Sequence, residues 1–209
     1  MITKTDTISI QIPKPDIKFV ELLLIGDRRL VIHRWSEKAR REMLDKQMGK
    51  ARKKKDPKVP EDDFKSSLYV HPEGWYGFPA NGFKQSAVGA CRYVEGITMV
   101  MARGCIFVEP DGEDAEGVDL VRIEGDGPHM REDMVRISMG TSDIRYRGEF
   151  RKWKAKVRVR YNANIISQEQ LINLFNLAGL HCGIGEGRPS APKTTMDWGM
   201  FHVATEGEA

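Results

Sequence analysis

From Trp153 to Tyr161 apolar and polar residues alternate without a break: Trp153, Ala155, Val157, Val159 and Tyr161 fall on one side, Lys154, Lys156, Arg158 and Arg160 on the other. A strict period of two belongs to a strand with one face on a core and the other in water. The open face is then a cationic stripe. Downstream, Ser167 followed by Gln170 is a capping-box pattern, and Leu171, Ile172, Leu174, Phe175 and Leu177 form one apolar helix face that Gly179 ends. The glycine-rich run Leu180 to Pro189 follows, and then a last short apolar strand, Trp198 to Ala204. Gly183, Gly185 and Gly187 come after a helix instead of joining a first strand to one, so they do not match a dinucleotide fingerprint. Two readings of these glycines stay open: a loop that lets backbone approach a ligand, or turns that need positive φ.

The N-terminal half opens with Ile8 to Ile12, a proline-containing break, and Phe19 to Ile25; Gly26-Asp27 is a turn signal before Leu30 to His33. Two or three strands are expected there. Ser36 to Lys50 reads as a polar helix with a sparse apolar set (Met43, Leu44, Met48) that runs into the charge run Ala51 to Lys58. A turn at Gly77 to Gly82 delivers the chain into a helix whose small apolar face is Phe83, Ala87, Val88, Ala90, Cys91 and Val94. Lys84 and Gln85 stand in its first turn, where unpaired N–H groups favour anions. Ile97 to Val108, Val118 to Glu124 and Val135 to Met139 are expected as strands, with Arg145 to Arg151 a basic approach to the Trp153 strand. Strand, helix and strand occur in each half. The fold class is α+β, an elaborated ferredoxin-like (RRM-like) domain with an antiparallel sheet and a basic inserted element, a common platform for single-stranded RNA.

Charge changes the picture more than composition does. The net formal charge of 209 residues is +3, yet thirteen Lys or Arg stand against four acids between Arg28 and Lys58, and ten acids against Arg122 and Arg131 between Glu109 and Asp133. A polyanion would meet the first region and be repelled by the second. Three widely spaced cysteines, Cys91, Cys105 and Cys182, suit a reducing compartment and give neither a disulfide framework nor a zinc spacing. No stretch approaches the ~20 apolar residues of a membrane span, and Met1 to Pro13 has no signal-peptide core. A cytoplasmic protein without cofactor or membrane contact is expected.

Two stretches together carry a family resemblance. The segment Trp75 to Ala87, with Pro79, Asn81, Gly82, Phe83, Lys84, Gln85 and Ser86 at the start of a helix, resembles the corresponding helix start of the RAMP superfamily of CRISPR-associated proteins. Gly183-Ile184-Gly185-Glu186-Gly187-Arg188, followed by Trp198 to Val203, resembles the glycine-rich loop and final strand of that superfamily. The basic insertion and single elaborated body look most like the guide-RNA-binding backbone subunit of multisubunit effector complexes, with a stand-alone or phage-borne relative as the alternative. Gln85 stands where that family often has glycine, and its helix arginine is at best Arg92.

The resemblance implies one domain over residues 1–209, a thumb-like basic insertion over 36–68, an acidic loop region over 109–133, and subunits stacked head-to-tail along single-stranded RNA or DNA, with other effector-complex subunits as further partners. The strand-binding set is then Arg34, Arg52, Lys53, Lys54, Lys55, Lys84, Gln85, Lys154, Lys156, Arg158, Arg160, Gly183, Gly185, Gly187 and Arg188. Trp75, Tyr76 and Phe78 either stack bases or pack on the core. A binding module, not an enzyme, is expected. The enzymatic alternative is a guide-processing endoribonuclease of the same superfamily with His33 as general acid or base at a 2′-OH. Asp56 is the nearest candidate for metal-dependent cleavage, but surrounding lysines repel a divalent cation, so no metal site is assigned. A third alternative is a protein that self-assembles through its segregated charges without nucleic acid.

Overall fold

The computed structural model describes residues 12–35, 37–50, 57–138, 140–192 and 195–208, apart from the side chains of 37–39, 137 and 138. The expected first strand before Ile12, Arg52 to Lys55 and Asp56 lie outside the described residues.

The central sheet is built from β1 (Ile17–Gly26), β5 (Ile106–Glu109), β11 (Trp153–Asn162) and β12 (Phe201–Val203), in the order β12-β1-β11-β5. All three pairings are antiparallel. With helix α3 (Ala80–Ala90) between β1 and β5, and α5 (Gln168–Leu177) between β11 and β12, the chain order and strand order are those of a ferredoxin-like fold. The period of two in β11 is realised in full: Trp153, Ala155, Val157, Val159 and Tyr161 are buried, and the intervening cations face out.

The two helices cover the buried face. In α3, Phe83, Ala87, Val88 and Ala90 point into the core, and Ser86 donates its hydroxyl to Ala178 O at 3.1 Å. Small residues bring the α3 backbone close to the turn after α5; a Cβ on Gly89 would lie 3.0 Å from Cys182 Sγ. The Ser167/Gln170 capping box starts α5, with the reciprocal bonds at 3.2 and 3.1 Å, and Leu171, Leu174 and Phe175 complete the core.

Two smaller sheets elaborate this body. One is β2 (Leu30–Ile32), β10 (Thr141–Phe150) and β9 (His129–Ser138); the other is β3 (Tyr69–Val70), β4 (Tyr76–Pro79), β7 (Asp119–Arg122) and β6 (Gly112–Glu113). A short strand β8 (Glu124–Gly125) adds to β11. The 36–68 segment holds α1 (Glu37–Gln47), with Met43, Leu44 and Met48 exposed, and α2 (Pro60–Ser66), which lies on β10.

Two expectations need correction. Ile97 to Val108 is not one strand: Met99–Cys105 is helix α4, nucleated by Thr98, whose hydroxyl accepts the Met101 N–H at 3.2 Å, and only the end is β5. Arg145 to Arg151 is not an approach segment but, as far as Phe150, the second half of β10. Its alternation is masked because the inward face carries charges. Glu149 accepts from Arg29 (2.7 Å), Arg131 (2.9 Å) and Arg151 (3.2 Å), and Arg147 reaches Asp133 at 3.3 Å.

Candidate nucleic-acid interface

A groove of about 770 Å³ runs between α3 and the loop that follows α5. The N-terminal end of α3 contributes Asn81, Gly82, Lys84 and Gln85, and its C-terminal end Arg92 and Tyr93. Opposite lie Gly183, Gly185, Glu186 and Arg188, while α4 adds Met99 and Arg103. The two stretches singled out in the sequence, some hundred positions apart, therefore form the two walls of one cleft.

The cleft is cationic. Lys84, Arg92, Arg103 and Arg188 line it against one carboxylate among the described residues, Glu186. None of the four cations makes an ion pair among the described residues. Lys84 Nζ rests 4.3 Å from the centre of the Phe107 ring, and Arg188 Nη1 donates to Gly185 O at 2.9 Å, which holds each of these head groups without neutralising it. Pro79 precedes α3 and offers no side-chain cap, so the first-turn N–H groups of an eleven-residue helix remain at the groove's end.

Glu186 is itself held by cations. His33 Nδ1 is 3.3 Å from its Oε1 and Arg147 Nη2 is 3.9 Å from its Oε2. The His33 hydrogen bond first, and Arg147 after it, hold the Glu186 carboxyl below its ordinary value against the opposing effect of burial. His33 lines the groove, so an imidazole paired with a carboxylate stands in the cleft, and it is the residue expected for the enzymatic alternative.

The glycines serve the loop's own path. Gly183, Gly185 and Gly187 have φ of 63°, 75° and 64°. A Cβ on Gly185 would lie 2.6 Å from Val31 O, and one on Gly187 2.5 Å from the Trp198 ring. Gly183 and Gly185 border the cleft, whereas Gly187 is buried against Trp198.

The remaining expected residues lie elsewhere. Arg34 is outside the groove: its guanidinium sits 3.0 Å from Asp114 Oδ2 and 2.6 Å from Glu116 Oε1, with its centre 5.7 Å from that of the Tyr69 ring. The stripe on β11 faces the open side of the sheet and is largely matched by acids. Lys154 is 3.8 Å from Glu124, Lys156 3.8 Å from Glu21, and Arg160 2.7 Å from Glu109, leaving Arg158 with no ion pair among the described residues. Of the loop aromatics, Tyr76 and Phe78 pack against the core, edge-on to Phe150 and Phe83, and Trp75 stacks on His71.

Arg103 and Tyr93, the latter stacked on His181 with ring centres 4.3 Å apart, were not visible as site residues in the sequence. Arg103 sits in a segment that reads as a strand, and only the helix α4 turns it toward the cleft.

No family model matches the chain, and no curated protein is similar to it in sequence. Among solved structures, the chain is similar to Cmr6 from Pyrococcus furiosus. The match is 13% identical, covers 90% of this chain and 99% of that one, and has a TM-score of 0.41. At that distance the likeness is one of outline.

Proposed function

We propose that the protein binds single-stranded nucleic acid, RNA in preference, by seating successive phosphates in the groove between α3 and the loop after α5. The observation that carries this reading is the set of four cations, Lys84, Arg92, Arg103 and Arg188, that line one cleft without ion pairs among the described residues, beside the uncapped start of α3. A polyanion supplies the missing negative charge, and its phosphates gain the N-terminal dipole of the helix as well. A groove lined by point charges suits recognition through the backbone rather than through base edges. Together with the resemblance of both groove walls to the RAMP superfamily, this favours a subunit that lies along an RNA strand, in the manner of the backbone of a multisubunit effector complex.

Fluorescence anisotropy of a labelled single-stranded RNA at rising salt tests the reading. Log affinity should fall linearly with log salt, and Arg92→Ala with Arg103→Ala should reduce that slope by about 0.7 for each phosphate of a single strand that is no longer neutralised. Failure of the wild-type chain to bind at about 50 mM salt, the low end of the usual range, would sink it.

A second reading rests on the His33–Glu186 pair. With Nδ1 donating to the carboxylate, the opposite nitrogen is left basic at the edge of the same cleft, which is the arrangement a general base for a 2′-OH needs. In that reading the groove holds the strand and His33 cleaves it.

A further inference from the structure

Two stacks of an aromatic ring on an imidazole occur among the described residues, and their surroundings differ. Trp75 on His71, with ring centres 4.3 Å apart, borders a small cavity that Asp111 and Glu124 share with Arg122 and Lys156, and Trp75 is half-buried. Tyr93 on His181, also 4.3 Å apart and inclined by 21°, stands in the cationic groove, and Tyr93 is 54% exposed. The charges around the first cancel, whereas the excess of cations around the second draws a polyanion.

We propose, resting on the binding reading above, that Tyr93 backed by His181 is the platform for one unpaired base of the bound strand, with Arg92 and Arg103 taking the phosphates that flank it. The local chain explains why the ring is presented. Tyr93 ends the single 3₁₀ turn Cys91–Tyr93 that continues α3, so it projects from the helix end while Cys91 is anchored in the core. His181 belongs to the wide turn Ala178–Cys182 after α5, which is fixed against α3 by the Ser86 hydroxyl on Ala178 O. Two helix ends thus hold the two rings in register before any ligand arrives.

That arrangement suits a base. One face of the phenol ring is engaged by His181, which removes rotamer freedom that binding would otherwise have to remove. A large exposed ring at the mouth of a charged groove presents a flat π surface, and every base has a matching one. Arg92 is exposed and directly precedes Tyr93, and Arg103 lines the same groove from α4, so cations lie beside the platform. Only a base free of a duplex can offer its face, so the ligand is single-stranded, and stacking tolerates any base while favouring the larger purines.

The test uses the full chain with a short single-stranded RNA, a set of the same RNA carrying one abasic residue at each position in turn, and a set carrying 2-aminopurine. In wild type, one 2-aminopurine position should be strongly quenched on binding, and the abasic RNA at that position should bind more weakly. Tyr93→Ala should lower affinity for the intact RNA by about 5-fold to 150-fold, the range of one base–aromatic stack. Tyr93→Phe should retain it. Against the abasic RNA, Tyr93→Ala should bind as wild type does. If wild type binds and Tyr93→Ala is indistinguishable from it on intact RNA, the platform is refuted while the groove reading stands. An equal loss on intact and abasic RNA also refutes it, since the tyrosine then acts only through the fold. No binding by wild type at all overturns the groove reading and the platform with it.

Discussion

Arg34 separates a structural role from a binding one, because it lies in the most basic part of the sequence but its guanidinium is committed within the chain. Asp114, its partner, has a side chain 1% exposed; one oxygen accepts the N–H groups of Glu116 at 2.8 Å and Val118 at 3.0 Å, while the other faces Arg34 Nη2 at 3.0 Å outside hydrogen-bond alignment. Removing one member of a buried ion pair costs about 3–5 kcal/mol, since the other is left charged and without compensation. The contact here is ionic rather than hydrogen-bonded and Asp114 keeps two N–H donors, so Arg34→Ala is expected at the low end, about 3 kcal/mol. For a chain of this length each kcal/mol lowers the melting temperature by roughly 2–4 °C. The expected drop is then about 6–12 °C. Arg34→Ala with Asp114→Ala should destabilise by less than the two single changes added, because they share one interaction. Thermal unfolding and RNA anisotropy on the same samples, below the transition, give both readouts. A variant that melts like wild type but binds RNA about tenfold more weakly, a 1.4 kcal/mol difference, would show that Arg34 faces the strand.

Two more predictions concern single side chains. His33→Ala should abolish divalent-independent cleavage of a labelled RNA if the second reading holds, with affinity kept within a few fold, and a 2′-deoxy residue at the cut position should block wild type as well; RNA left intact by wild type removes that reading. In Glu149, burial pushes the carboxyl up, but hydrogen bonds from Arg29, Arg131 and Arg151 outweigh it and hold the group below its ordinary value; its stabilisation is therefore complete above the unfolded glutamate pKa of about 4.3 and lost as pH falls through the lower folded value. Glu149→Gln should flatten the fall of melting temperature on acidification below about pH 4.3, and an unchanged acid limb would assign that limb to other carboxylates.

The central body was legible because its elements obey one simple period each. The strand over Trp153 to Tyr161 buries every residue that its spacing indicated, and the capped helix behind it buries Leu171, Leu174 and Phe175 fully and Ile172 and Leu177 in part. What hid β10 was polarity: Arg147 and Glu149 are buried and meet Asp133, Arg131 and Arg29, so no apolar alternation exists to be read. The groove was half legible. Lys84, Gln85, Gly183, Gly185 and Arg188 converge on it, but nothing local in the sequence marks the third wall, since α4 brings Arg103 there through tertiary placement alone. Of the two readings left open for the glycines, positive φ and close approach to Val31, Trp198 and Pro189 account for all three.

The segregation of charge along the sequence has a different meaning once the chain is folded. Asp114 and Glu116 from the acidic region meet Arg34 and Arg40 from the basic one, within a single chain. Glu109 and Glu124 are spent on Arg160 and Lys154 of the open sheet face. Acids engaged in this way cannot also serve as the negative half of a head-to-tail contact without breaking pairs already made, which weakens the drive that complementary charge gives copies of the chain to stack. The groove cations are in the opposite position, because Lys84, Arg92, Arg103 and Arg188 have no such partners among the described residues. Copies held along one strand would therefore owe their alignment to phosphates shared between successive grooves, and assembly would depend on the length of the strand instead of on protein concentration alone.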